Sequence, residues 1–325
     1  MRASSSKWSV FDLVEAYQLA RAVAVLNDLK VFEAQKPFSA KQLATKHDVD
    51  LALLAGVLEF VALRTELLRR TARGQFAVTG NKSRFLIDLY AGAYGSTADQ
   101  LAQILRDPAR APASVDRVRY ARAFASLDSA AQGILPDVIG ALGFNYTLDL
   151  GCGNGDLLLE LARRDSSFVG WGIDSNPAML KVARARLRDA RLSKRVRFIE
   201  ADCARLRETV PANVRSEIQS LTCCNFANEM FARGERQVVK WFRELRKLFP
   251  NRPLLIGDYY GRLGRTIRKL QRETLLHDYA QLISGQGVPP ATIAEWRSIY
   301  VKAGCRLVHA IEDTSTTRFI HILGL

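Results

Sequence analysis

Thr147 to Glu160 (TLDLGCGNGDLLLE) carries the residue types and spacing most able to do chemistry in this chain. Thr147 to Leu150 have the β-branched and apolar character of a buried strand that ends past Asp149, and Leu157, Leu158, Leu159 and Leu161 crowd onto a following helix. Between them Gly151, Gly153 and Gly155 remove Cβ atoms where the chain must swing from strand to helix while its backbone approaches a ligand. That is the pattern of a nucleotide-binding βα unit, with a helix N-terminus aimed at the ligand. The spacing is G-x-G-x-G, with Asp156 where a dinucleotide fingerprint needs its last glycine, so a pyrophosphate is not the favoured guest.

Two acids complete a nucleoside site. A second strand, Ser167 to Ile173, ends in Asp174-Ser175, about where an acid must sit to take both hydroxyls of a ribose. A third, Val196 to Ile199, ends in Glu200-Ala-Asp202-Cys203, where an acid can accept a hydrogen bond from an adenine amino group.

The fourth strand, Ile218 to Phe226, should open onto the ligand at its carboxyl end, which puts the reacting atom near Asn225 to Met230. That run holds Asn228 and Glu229 but no histidine. Of the four histidines, His47 lies in the N-terminal helical region and His309 and His321 in late strands. His277 lies with Asp278 and Tyr279 on the excursion after the fifth strand, Leu254 to Asp258, and this cluster could supply a base, a metal ligand, or neither. No metal is counted among the expected ligands. The same excursion opens with Tyr259-Tyr-Gly-Arg262, and Arg262, Arg265 and Arg268 recur every three residues along one side of an expected helix. Guanidinium groups bind carboxylates in bidentate fashion, so Tyr259, Arg262 and Arg265 are expected to select an anionic acceptor, with an exposed basic face as the alternative.

Taken together, LDLGCGNGD, GWGIDSNPAML and VRFIEADCARL resemble the first three motifs of class I S-adenosylmethionine-dependent methyltransferases. The resemblance implies that S-adenosylmethionine is the cofactor and S-adenosylhomocysteine the product. It passes the methionine part along the glycine turn, gives the ribose to Asp174, and sets Asp202 and Cys203 beside the adenine, with Asn225 and Phe226 closing the pocket. An aromatic ahead of the turn often covers the cofactor in this family, a role that falls to Tyr120, four residues before Phe124; core packing fits these two equally well. VLNDLKVFEA, SAKQLATKHDVD and LLAGVLEFVALRTELLRRTARGQFAVT resemble the winged-helix N-terminal domain of small-molecule O-methyltransferases, which dimerises and lends a wall to the partner's substrate pocket. In that group a His-Asp pair follows the fourth strand and supplies the general base. Asn225-Phe-Ala-Asn-Glu229 lacks it, so simple base-assisted methylation of a phenol does not follow.

The resulting expectation is a cytoplasmic, homodimeric enzyme that methylates a small, anionic acceptor of specialised metabolism, at oxygen first. Carbon methylation of an activated acid or keto acid is the alternative, with His277 and Asp278 or Glu229 available to hold a metal. A nucleic-acid methyltransferase or winged-helix regulator is the alternative of another class. Against it, Leu51 to Leu68 offers apolar residues where a recognition helix needs Arg, Asn or Gln, and NFANEM lacks the Asn/Asp-Pro-Pro-aromatic run of amino-group methyltransferases.

These residues need a scaffold, and 325 residues suggest two domains. Helical spacing over Phe11 to Leu29, Ala40 to Lys46 and Leu51 to Leu68, followed by a short hairpin turning at Arg73-Gly74, gives a winged-helix pattern within residues 1–110. Residues 107–114 read as a linker, a long helix spans 116–142, and residues 111–325 form an α/β, Rossmann-like, doubly wound domain; the resemblance gives it a mixed seven-stranded sheet. The net charge of +14 divides as 15 Lys/Arg against 11 Asp/Glu before residue 111 and 32 against 22 after it, so the excess lies with the cofactor domain. Much of it falls on Lys181 to Arg197, read as a solvated helix face. No apolar run approaches the roughly 18 residues of a membrane helix, and MRASSSKWSVFD has no signal-peptide core. Five cysteines without disulfide or zinc spacing suit a reducing compartment.

Overall fold

The computed structural model describes residues 8–79, 84–125, 134–266, 271–313 and 316–325. They divide into two compact units, one of residues up to Ser96 with the stretch from Arg122, the other of Thr97–Ala121 with the chain beyond 128. The division thus falls ahead of residue 110, and the expected linker is part of the second unit. Pro108–Ser114 is a 3-10 helix capped by Asp107, with Ala111 and Ser114 buried. Proline at the first helical position starts a turn as readily as it marks a linker.

In the first unit, α1 (Val10–Asp28), α2 (Ala40–His47) and α3 (Leu51–Arg64) precede an antiparallel hairpin of β1 (Leu68–Arg70) and β2 (Phe76–Val78). Each helix begins where a side-chain oxygen takes an otherwise unpaired N–H: Ser9 from Asp12, Ser39 from Gln42, Asp50 from Leu53. Their apolar sides close on Leu26, Leu58, Val61, Leu68 and Phe76. The leucine-rich run 51–68 is not one helix. The Thr65 N–H and hydroxyl both donate to Val61 O, at 3.0 and 2.8 Å, which ends α3 and frees Leu68 for the strand.

The second unit holds β3 (Tyr146–Leu150), β4 (Val169–Asp174), β5 (Val196–Glu200), β6 (Ser220–Cys224), β7 (Pro253–Tyr259), β8 (Arg306–Glu312) and β9 (Arg318–Gly324). They form one sheet in the order β5-β4-β3-β6-β7-β9-β8, parallel except for β9, which runs antiparallel to both neighbours. The inner strands read as continuous apolar runs because helices cover both faces. Leu148, Leu150, Leu221, Phe242 and Trp296 belong to one core cluster, while Leu157, Leu158, Phe168 and Leu255 belong to another.

From β3 the chain steps outward to β4 and β5, then returns to lay β6 on the other side of β3. A crevice opens at such a reversal, at the carboxyl ends of the strands. Not all of the Lys181–Arg197 charge is solvated: the Arg195 guanidinium donates to Ala162 O and Asp165 O at 2.7 Å each, and Arg186 pairs with Asp156. The expected helix over 116–142 is described in two pieces, Arg117–Ala125 and Ile134–Ala141. Among the described residues no helix is long and apolar enough to cross a membrane.

Candidate active site

The glycine turn after β3 is shaped by its neighbours as much as by its own bends. Gly151 N–H and Cys152 N–H both donate to Ile173 O at 2.9 Å, folding the turn back over β4. Gly151 has φ +70°, and a Cβ there would stand 2.5 Å from the Phe226 ring, so no other residue fits without moving that ring. Gly155, at φ +78°, caps the helix Asp156–Arg164. A Cβ at Gly155 would stand 2.5 Å from Phe198.

Asp174 reaches across from β4. Its carboxylate accepts from Gly153 N–H at 2.8 Å and Asn176 N–H at 2.7 Å, so it stands beside the turn rather than capping the next helix. Asn176 takes that cap, accepting from Ala178 N–H at 3.0 Å, and Ser175 stays exposed between them. Burial pushes the Asp174 carboxyl up against the pull of these two N–H groups and of the Arg117 charge. Asp149, at the end of β3, is buried and accepts from the Thr222 hydroxyl at 2.7 Å. Burial raises it to about 7. Asp202 lies exposed past β5, accepting from Ala204 N–H at 2.8 Å, with lone pairs to spare for an amino group. The Cys203 thiol is buried, 3.9 Å from Ile173 O, so only the backbone of Cys203 is left to face a ligand beside Asp202. Burial holds that thiol well above the ordinary range.

Across the crevice, β6 ends at Cys224 and the chain turns through Asn225, at φ +49°, into the 3-10 helix Ala227–Arg233. Asn225 Oδ1 accepts from the Arg318 guanidinium at 3.1 Å. Asp258, buried near the end of β7, accepts from Asn228 N–H at 3.0 Å and Tyr259 N–H at 2.9 Å, which fixes the start of that 3-10 helix. Burial raises Asp258 to about 7. The Asn228 side chain is buried, with its Oδ1 lacking a partner among the described residues. Glu229 is half-buried and accepts from Gln286 Nε2 at 2.9 Å. Burial carries it up to about 7, with the Arg117 charge pulling the other way.

Gln286 sits in a tightly wedged loop. A Cβ on Gly285 would meet Pro112 and Ala111 at 3.1–3.2 Å, and one on Gly287 would meet the Phe231 and Ala232 backbone at 2.4–2.5 Å. This loop meets the segment after β6 through Gln286 and Glu229, and the helix Arg272–Ile283 packs His277 on Tyr259.

The excursion departs from the expected row of arginines. Residues 261–266 are a turn, not a helix, and Arg268 lies outside the described residues. The Arg262 guanidinium is spent on Ala291 O at 3.0 Å and Gln271 Oε1 at 3.1 Å, and Arg265 pairs with Glu295 at 2.7 Å near the surface. Helical spacing does not survive here because Asp278 takes the Arg262 and Leu263 N–H groups, bending the chain away from a helix. Asp278 is thus a loop brace. His277, on the same helix, packs its ring 5.3 Å from that of buried Tyr259 and meets Gln281 Nε2 at 3.2 Å. Burial depresses His277 to about 4, leaving a neutral, weakly basic imidazole. Asp278 gives Oδ2 to backbone, and among the described residues no three His, Cys, Asp or Glu side chains group as a metal site.

Tyr120 is half-buried with the Arg117 guanidinium 5.9 Å from its ring centre. Sequence reasoning missed Arg117, Asp258, Gln286 and Arg318. Only Asp258 carried a signal, as an acid at the carboxyl end of a buried strand.

Residues 147–248 match the family described as methyltransferase domain. Over 310 residues the chain is 26% identical to methyltransferase ungE' of Aspergillus campestris, covering 88% of this chain and 87% of that protein. Among solved structures, the mitomycin 7-O-methyltransferase MmcR superposes with a TM-score of 0.75 at 18% identity, covering 97% of this chain and 96% of that one. Human N-acetylserotonin methyltransferase, solved with S-adenosylmethionine, superposes at 0.72 and 14% identity over 98% of this chain and 99% of its own. At these identities the structural likeness establishes the fold.

Proposed function

We propose a small-molecule acceptor for this chain, which is an S-adenosylmethionine-dependent methyltransferase of the class I type. The observation that supports the proposal is the contact of buried Gln286, in a loop wedged against Pro112 and Phe231, with Glu229, a closed arrangement that suits a compact ligand better than a polymer. Oxygen is the first acceptor atom, in keeping with the mitomycin 7-O-methyltransferase fold relative. Specialised metabolism is the setting that this relative and the calicheamicin-pathway methyltransferase CalO1 suggest.

The residues present fit the cofactor. The turn at Gly151 has no space for a Cβ, and Asp174 stands beside it with a carboxylate able to take ribose hydroxyls; Asp202 supplies the acceptor for an adenine amino group. When bound, S-adenosylmethionine supplies an electrophilic methyl group on a sulfonium. The protein's share is alignment and dryness. The unpartnered Asn228 amide oxygen can hold a donor group of the acceptor, and Glu229, near 7, can take its proton when ionised. Glu229 thus stands in for the missing histidine, while His277 buttresses Tyr259.

A homodimer through the first unit is part of the same reading. Its α1 exposes Phe11, Leu13, Val14 and Tyr17, each more than half accessible, an apolar stripe suited to burial against a second copy. The five free cysteines, four of them buried, support a cytoplasmic enzyme. Labelled S-adenosylmethionine offered with phenols, aromatic acids, keto acids, tRNA and duplex DNA tests the proposal: label on a small molecule, from a protein of dimer mass, is the expected result. Label on nucleic acid alone would overturn it.

A further inference from the structure

A turn with glycine at 151, 153 and 155 is costly to order, because glycine loses more conformational freedom on folding than any other residue. Something outside the turn must hold it, and one face of the helix Pro177–Asp189 does so. Met179, Ala183 and Arg186 follow one another along that face at spacings of four and three. A Cβ on Gly153 would stand 2.9 Å from Met179 Cε, and one on Gly155 would stand 3.4 Å from Ala183 Cβ. Farther along the helix, the Arg186 guanidinium donates to Asn154 O at 3.4 Å and pairs with the Asp156 carboxylate. Arg186 thus straddles Gly155, holding the residue before it by backbone and the residue after it by side chain.

The start of the same helix is tied to the turn as well. Asp174 accepts from the N–H of the capping residue Asn176 and from Gly153 N–H, so turn, ribose acid and helix close into one ring of contacts. Asp156 is buried at the first position of the helix Asp156–Arg164, and a buried carboxylate is costly without a cation. Asp156 also stands where a dinucleotide fingerprint has its last glycine, and a glycine there would leave Arg186 nothing to pair with after the turn. We propose that Arg186 is a positioning residue for the cofactor, acting through Asp156 and the Asn154 carbonyl to keep the glycine turn in the shape that receives S-adenosylmethionine. The inference rests on the cofactor and not on the acceptor, so it stands or falls apart from the small-molecule reading.

The test is calorimetric titration of S-adenosylhomocysteine into Arg186→Met, Arg186→Lys, Asp156→Asn and the double variant Asp156→Asn with Arg186→Met, alongside thermal unfolding. Methionine keeps an apolar stem against the neighbouring helix and removes the charge. The Met and Asn variants should each bind roughly 10-fold more weakly than wild type, and the Lys variant should recover much of the loss. The double variant should lose no more than the larger single loss, because both changes break one contact. A Met variant with a lowered unfolding temperature but affinity within about two-fold of wild type would make Arg186 a part of the fold alone and overturn the proposal. So would a Lys variant no better than the Met variant, or a double variant whose loss is the product of the two. Should the Met variant fail to fold, Asp156→Asn decides: wild-type affinity there overturns the proposal, and a roughly 10-fold loss upholds it.

Discussion

On the cofactor side of the crevice, the contacts that set its shape run through backbone: Gly151 and Cys152 donate to Ile173 O, and Gly153 donates to Asp174, 21 residues away. On the acceptor side, each group is held by a side chain from far along the chain. Glu229 is held by Gln286, 57 residues on, Asn228 by Asp258, 30 on, and Asn225 by Arg318, 93 on. A site made of glycines and short turns announces itself by spacing. One made of long-range side-chain pairs does not, and it can change its chemistry without disturbing the first.

The contrast can be broken most severely at Gly151. Gly151→Val forces a β-branched residue to φ +70° and drives its Cβ into Phe226, which itself packs on Trp241. A non-glycine residue in that region costs about 1–2 kcal/mol before any clash. The expected outcome is loss of S-adenosylhomocysteine binding by more than about 100-fold together with a lower unfolding temperature, read by calorimetry and thermal unfolding. Binding within a few-fold of wild type would mean that the turn does not shape the cofactor side.

Glu229→Gln should instead separate the two sides. A general base contributes about 10²- to 10⁴-fold, so kcat should fall in that range while S-adenosylhomocysteine affinity stays put. Glu229 must be ionised to take a proton, so the wild-type rate should climb with pH through about 7 and level off above it, and the variant should lose that limb. Stability carries the opposite trend. The folded value lies above the ordinary 4.5, so Glu229 adds stability that is complete below about 4.5 and is lost as pH rises through about 7. The variant should flatten that slope. A variant that weakens cofactor binding as much as kcat would merge the two sides.

Asp174→Asn tests the cofactor side more gently. The amide keeps one oxygen for Asn176 or Gly153 but loses the charge and one acceptor, so S-adenosylhomocysteine should bind about 10-fold more weakly, and acceptor KM should not move.

What the sequence revealed follows the same division. Asp174 reaches the glycine turn as the spacing suggests, because the βα unit is local and its glycines meet fixed neighbours. The strands of the sheet were likewise readable from apolar runs. Elimination among four histidines singles out His277 as a candidate only, and burial leaves it with a value near 4 and a Gln281 partner. Counting residue types says nothing about desolvation. The Arg262-Arg265-Arg268 row assumed a helix, and one buried carboxyl, Asp278, was enough to bend that segment.

The finest test compares the two arginines of the excursion, which spacing made equivalent and the structure does not. Arg262 donates to Ala291 O, 29 residues away, and to Gln271, in a half-buried setting, so Arg262→Gln strands a backbone carbonyl and should cost about 1–3 kcal/mol of stability. Arg265 meets Glu295 with both side chains around half exposed, and an exposed pair is worth about 0–1 kcal/mol. Arg265→Gln should therefore leave unfolding in urea almost unchanged, and neither variant should shift acceptor KM. A rise in KM confined to Arg265→Gln would return the anion-binding role to the excursion, and with it some of the legibility that the acceptor side lacks.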